Sequence, residues 1–140
     1  MKPLKSICLV ICLCVWSATS AGQATSLYDE LGQQAGIDAL MTKFVLAIAE
    51  DERVVDHFRN VDIDRFHRMI GQHICALAGG PCVYQGASMT EVHRGMAISR
   101  SEFNAIVENL IAAMEQQQLA VGTQNKLLAK LAAFQADIVQ

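Results

Sequence analysis

The chain has 140 residues, 11 of them basic and 14 acidic, a formal net charge of −3, and a hydrophobic content of 52%. No run of Lys and Arg is long enough to follow a phosphate backbone, which argues against a nucleic-acid partner. The length suits one domain of ordinary size and leaves no room for a second.

Lys2 and Lys5 precede an apolar run from Ile7 to Trp16, and small residues follow through Ala21 to Ala24. This is the plan of a secretory signal peptide cleaved near Ala21 or Ala24, and it predicts a secreted or periplasmic protein. The apolar run falls short of the ~20 residues that span a bilayer, and no later stretch approaches that length, so no membrane partner is expected after cleavage. An uncleaved N-terminal anchor is the alternative. Residues 25–140 then form a single domain with nine basic and fourteen acidic residues.

Cys8, Cys12 and Cys14 leave with the leader, so the folded chain keeps Cys75 and Cys82. Export favours a disulfide between them, with two free thiols as the alternative. Neither belongs to a Cys-x-x-Cys-His sequence, which excludes covalent c-type haem attachment.

Ser26 stands as the cap of a short helix that begins at Leu27 and breaks near Gly32 and Gly36. Asp38 to Glu50 has the three- and four-residue spacing of a helix through Leu40, Met41, Phe44, Val45 and Ile48. A charged, irregular stretch from Asp51 to Asp64 follows, and then a strong helix from about Arg65 to Leu77, stopped by Gly79-Gly80-Pro81. Met89 to Met96 forms a short helix bearing His93. Ser99 caps a long one, Arg100 to Gln118, with Glu102 in the capping-box position and an apolar stripe through Phe103, Ile106, Val107, Leu110, Ile111 and Met114. Thr123 to about Val139 makes the last helix, with Leu127, Leu128, Leu131 and Phe134 inward. No segment alternates like a strand, so the expected fold is all-α.

His93, with Met89, Val92, Met96 and Ile98 around it, is placed to give a ring nitrogen to a metal in an apolar cavity. A core histidine bonded to backbone is the alternative reading of the same residues. The chain offers no acid–base dyad, Ser-His-Asp set or phosphate loop. His57, His67, His73 and Cys75 do not have the spacing of a zinc site, because positions two apart on a helix face different ways.

Taken together, Leu27-Tyr28-Asp29-Glu30-Leu31-Gly32, Phe44, Phe58, Gly79-Gly80-Pro81, Tyr84-x-Gly86, Met89-x-x-x-His93-x-Gly95-x-x-Ile98 and Phe103 resemble a group I truncated haemoglobin, from about Ser26 to Val139. The resemblance implies a two-over-two sandwich of helices around a non-covalent haem b. His93 would be the proximal iron ligand and Phe58 the aromatic packed on the haem. Phe66, Met69, Ile70, His73 and Ile74 would cover the opposite face, with Phe44, Val45, Tyr84, Met89, Met96, Ile98 and Phe103 completing the pocket. Glycines on either side of the ligating helix would leave that region loop-like around the cofactor.

On the distal side the chain departs from the family pattern. Many group I members carry a tyrosine after the phenylalanine of the second helix and a glutamine in the Ile70 position; here stand Val45 and Ile70, and neither can donate a hydrogen bond. A donor in a low-dielectric pocket stabilises a ligand that takes on negative charge by ~1.5–3 kcal/mol, so fast oxygen release is expected. His73 is the one strong donor expected on this face. His73 or Met69 could instead take the sixth iron position, and methionine ligation would raise the reduction potential. His67 is expected to face solvent or the haem edge, and His57 to be exposed.

Diatomic gases (oxygen, nitric oxide, carbon monoxide) are therefore the expected partners. The alternative is a six-coordinate electron-transfer or redox protein, and both that role and nitric oxide dioxygenation call for an electron-donor protein.

Overall fold

The Ser26 hydroxyl accepts from the Asp29 amide at 3.1 Å and starts the first helix, α1 (Leu27–Glu30). The computed structural model describes residues 24–140. The expected signal peptide lies outside the described residues but for Ala24. The other helices are α2 (Gln33–Glu50), α3 (Ile63–Leu77), α4 (Met89–Val92), α5 (Arg100–Gln116), α6 (Val121–Ala132) and α7 (Gln135–Ile138), with a 3-10 turn at Val55–Phe58. Among the described residues there is no strand, and no helix is long and apolar enough to cross a membrane.

α2 lies at the centre, against α3 on one side and α5 on the other, while α5 also packs on α6. This is the two-over-two arrangement of the expected all-α fold. The α2 stripe Ile37, Leu40, Met41, Phe44 and Ile48 is almost wholly removed from water and meets Ile74, Ala105, Leu110, Ala113, Met114 and Leu127. Burial of each large apolar side chain stabilises the fold by roughly 1.5–3 kcal/mol.

Several boundaries differ from the expectation: α5 ends at Gln116 and α6 begins at Val121, two residues from the expected Gln118 and Thr123, and four others differ for a local reason. α2 begins at Gln33 rather than Asp38, because the break is at Gly32 and Gln33, whose φ values of 84° and 57° are left-handed; Gly36 lies inside the helix. A Cβ on Gly36 would collide with the Leu31 carbonyl oxygen, so close approach of two backbones requires glycine there. α3 begins at Ile63 because Asp62 caps it, accepting from the Arg65 amide at 2.9 Å. α4 stops at Val92, with His93 as its C-cap. Gly95 and Ala97 then take left-handed backbone (φ 77° and 49°), which ends the helix short of Met96. The expected last helix is two, divided at Ala133-Phe134.

α5 keeps its expected start: Ser99 and Glu102 form a full capping box. Cys75 and Cys82 are joined in a disulfide, with Cα atoms 5.8 Å apart. It ties the C-terminal end of α3 to the loop leading to Tyr84.

Candidate haem pocket

Between α3, α5 and the α4–α5 connection lies a cavity of about 390 Å³ with almost wholly apolar walls. Phe66, Ile70, His73 and Ile74 supply one wall from α3, and Phe44 and Ile48 enter from α2. Phe58, brought in by the 3-10 turn, packs edge-on against Phe66 with ring centroids 5.1 Å apart. Met89, His93, Met96 and Ile98 form another wall. Phe103, Ile106, Val107 and Leu110 of α5 and Leu128 and Leu131 of α6 close the cavity, together with Phe134 and Ile138.

Three residues expected in the pocket do not line it. Val45, one position on from the inward Phe44, faces a second, smaller pocket with Ala49, Val55 and Ile63. At about 100° per residue, Phe66, Ile70, His73 and Ile74 fall within one ~100° arc, and Met69 lies about 40° outside it. Met69 is accordingly half-buried but absent from the cavity wall. Tyr84 stands behind His73, ring centroids 4.8 Å apart, with its hydroxyl donating to the Ala87 carbonyl at 3.0 Å.

Few polar groups reach the cavity. His93 has Nδ1 2.8 Å from the Met89 carbonyl oxygen. A carbonyl only accepts, so Nδ1 carries a proton; in the neutral ring this tautomer leaves the Nε2 lone pair for a metal. His73, between Tyr84 and Phe134 (ring centroids 5.1 Å), has a buried Nε2 with no hydrogen-bond partner. Burial lowers its pKa and so favours the neutral ring.

His57 also lines the cavity and is only a quarter exposed, a correction to the exposed corner expected for it. Its Nε2 donates to Glu102 Oε1 at 2.8 Å. Glu102 is held at a pKa of about 2, first by the Ser99 hydroxyl, then by the Ser99 amide and His57. No local signal marks this pair, because its members are 45 residues apart. His67 is half-exposed, as expected, and does not line the cavity: its Nε2 sits 3.2 Å from Thr42 Oγ1 and 3.3 Å from the Asp38 carbonyl oxygen, linking α3 to α2.

The walls suit a large apolar planar group held by one nitrogen: aromatic and aliphatic side chains make most of the lining, and of the three imidazoles that reach it His93 is the one tethered through Nδ1 to a backbone carbonyl. Among the described residues no cluster of three or more His, Cys, Asp or Glu could hold a metal ion by itself.

The family model described as bacterial-like globin matches residues 26–140. The group 1 truncated hemoglobin of Tetrahymena pyriformis is 35% identical over 91 residues, 65% of this chain and 75% of that protein. That of a Synechocystis species is 26% identical over 113 residues, 78% of this chain and 88% of that protein. The crystal structure of the Tetrahymena pyriformis protein in its Fe(III) form superposes with a TM-score of 0.79 at 30% identity, covering 82% of this chain and 98% of that one. The chain belongs to the bacterial-like globin family, with the truncated-haemoglobin fold and a haem b cofactor.

Proposed function

We propose that this protein binds diatomic gases at haem iron held by His93, in a pocket whose opposite wall is apolar. The observation that carries the reading is the His93 imidazole, its Nδ1 committed to the Met89 carbonyl on the wall of a mostly apolar cavity. When bound, the haem supplies an iron with one coordination position open to a gas. The Met89 contact fixes the ring's orientation. Phe58, Phe66 and Ile70 keep water from the other side, and none of them donates a hydrogen bond to a ligand. The proposal keeps the export reading of residues 1–24, which the mass of the N-terminal peptide of the purified protein would test.

A second reading rests on His73. Its unpartnered, neutral Nε2 at the cavity is suited to take the sixth iron position and give a redox protein served by an electron donor. Met69 does not share this role, because it lies outside the wall.

Visible spectra of the ferric, ferrous and carbon monoxide-treated protein separate the two. The proposal predicts a five-coordinate ferrous spectrum that converts promptly to the carbonyl form. A low-spin six-coordinate spectrum that reacts slowly would favour His73 on the iron, and no Soret band would overturn both.

A further inference from the structure

Gln140 holds both ends of the loop that carries His93. Its backbone amide donates to the Ile98 carbonyl at 3.0 Å, and its side-chain Nε2 donates to the His93 carbonyl at 3.3 Å. Within the loop between those carbonyls, one turn hydrogen bond runs from the Met96 amide to the His93 carbonyl at 3.1 Å, and Met96 stands in the cavity wall. Gly95 and Ala97 both take left-handed backbone, and Arg94, Gly95 and Ala97 are exposed. A non-glycine residue in that conformation persists only where the surroundings impose it. Nor is α4 stable by itself, since four residues are far below the length at which an isolated helix forms.

The support comes from the other end of the chain. α7 packs against α4, and Gln135 and Ile138 stand in the cavity wall. The Val139 amide donates to the Gln135 carbonyl at 2.9 Å, closing α7. Val139 then turns extended (φ −76°, ψ 127°) and delivers Gln140 to the loop. The division at Ala133-Phe134 makes this possible: it aims Phe134 at His73 and swings the following residues across to α4. The His93 ring is bonded to the α4 backbone through Met89, so whatever fixes α4 fixes the imidazole.

We infer that residues 135–140 are a strap that positions His93, with Gln140 its buckle. The inference rests on the reading of His93 as the iron ligand. Gln140 touches neither ring nor cavity; it acts through the backbone of His93 and Ile98.

The test uses the haem-loaded protein with three changes: Gln140→Ala, which removes the side-chain donor alone; deletion of Gln140, which removes both bonds; and His93→Ala as reference. The rate of haem loss to an excess of a haem-accepting apoprotein is measured, with the ferrous iron–histidine stretching band by resonance Raman. Loss of one bond is expected to speed haem loss about threefold and loss of both about tenfold or more, in line with the usual worth of hydrogen bonds. The band should broaden or shift while far-ultraviolet circular dichroism stays unchanged, which a merely structural role would not produce. Unchanged haem loss and an unchanged band in both variants, beside rapid loss from His93→Ala, would overturn the strap. A His93→Ala protein that keeps haem with an unaltered ferrous spectrum would overturn the reading of His93 itself, and the strap with it.

Discussion

His57 Nε2 and Glu102 Oε1 meet at 2.8 Å on the wall of a cavity that is otherwise nearly all carbon. The contact joins the 3-10 turn carrying Phe58 to the first turn of α5, just after the loop that carries His93. Glu102 thereby serves two purposes, as the capping-box carboxylate of α5 and as the acceptor for His57. Its pKa of about 2 lies below the usual glutamate value of 4.5, so the stability it contributes is fully present above pH 4.5 and is lost as pH falls through about 2. Glu102→Gln should remove that part of the acid dependence and leave the remainder, which urea midpoints between pH 2 and 6 would read. Identical pH profiles for the two proteins would contradict the account.

His73 contributes in a higher window. Burial lowers its folded pKa from 6.5, so its protonation opposes folding. The stability it adds is complete above pH 6.5 and declines as pH falls through the lowered folded value. His73→Phe should flatten the stability of the haem-free protein between about pH 6.5 and pH 5, the range over which an ordinary histidine charges. A profile as steep as that of the parent chain would show that His73 is not the group titrating.

On the proposed function, the apolar wall sets ligand release. Ile70→Gln places an amide donor where Ile70 now offers a methyl to the cavity. A hydrogen bond worth ~1.5–3 kcal/mol to a ligand carrying negative charge corresponds to an oxygen dissociation rate slower by about tenfold or more. Stopped-flow displacement of oxygen by carbon monoxide measures it. An off-rate that is already slow in the parent protein and unchanged in the variant would exclude the apolar-pocket explanation.

The disulfide acts on the same wall from behind. Cys75 is wholly buried in α3 next to Ile74, and its bridge to Cys82 fixes the loop on which Tyr84 backs His73. Cross-linking so short a loop stabilises by roughly 2–3 kcal/mol, so Cys82→Ser should lower unfolding free energy by about that amount. Urea denaturation under oxidising conditions checks it; equal midpoints would show that the bridge constrains nothing.

Those parts of the fold that depend on neighbours in the chain were legible in the sequence. Ser26 and Ser99 mark helix starts because a cap needs only the next three residues, and the α3 stripe follows from helical spacing. Asp62 is a cap of the same kind, but the charged stretch around it hides the start of α3. Where the outcome depends on distant partners, the pattern is silent. Nothing in Ala132-Ala133-Phe134-Gln135 breaks a helix by composition, yet the chain divides there and Phe134 meets His73. Met69 and Val45 each sit one step off an inward arc, a difference smaller than the width of the stripe from which they were read. The pairing of His57 with Glu102 and the reach of Gln140 to His93 arise from the closed fold alone.

The central claim is that the His93 imidazole holds the haem iron, and chemical rescue of His93→Gly tests it most directly. The ferrous absorption spectrum of the variant is recorded in the absence and then in the presence of free imidazole. The account predicts that the five-coordinate histidine-ligated spectrum is lost on substitution and restored as imidazole fills the space left beside Met89 and Met96. A variant whose ferrous spectrum matches that of the parent protein without imidazole would contradict it.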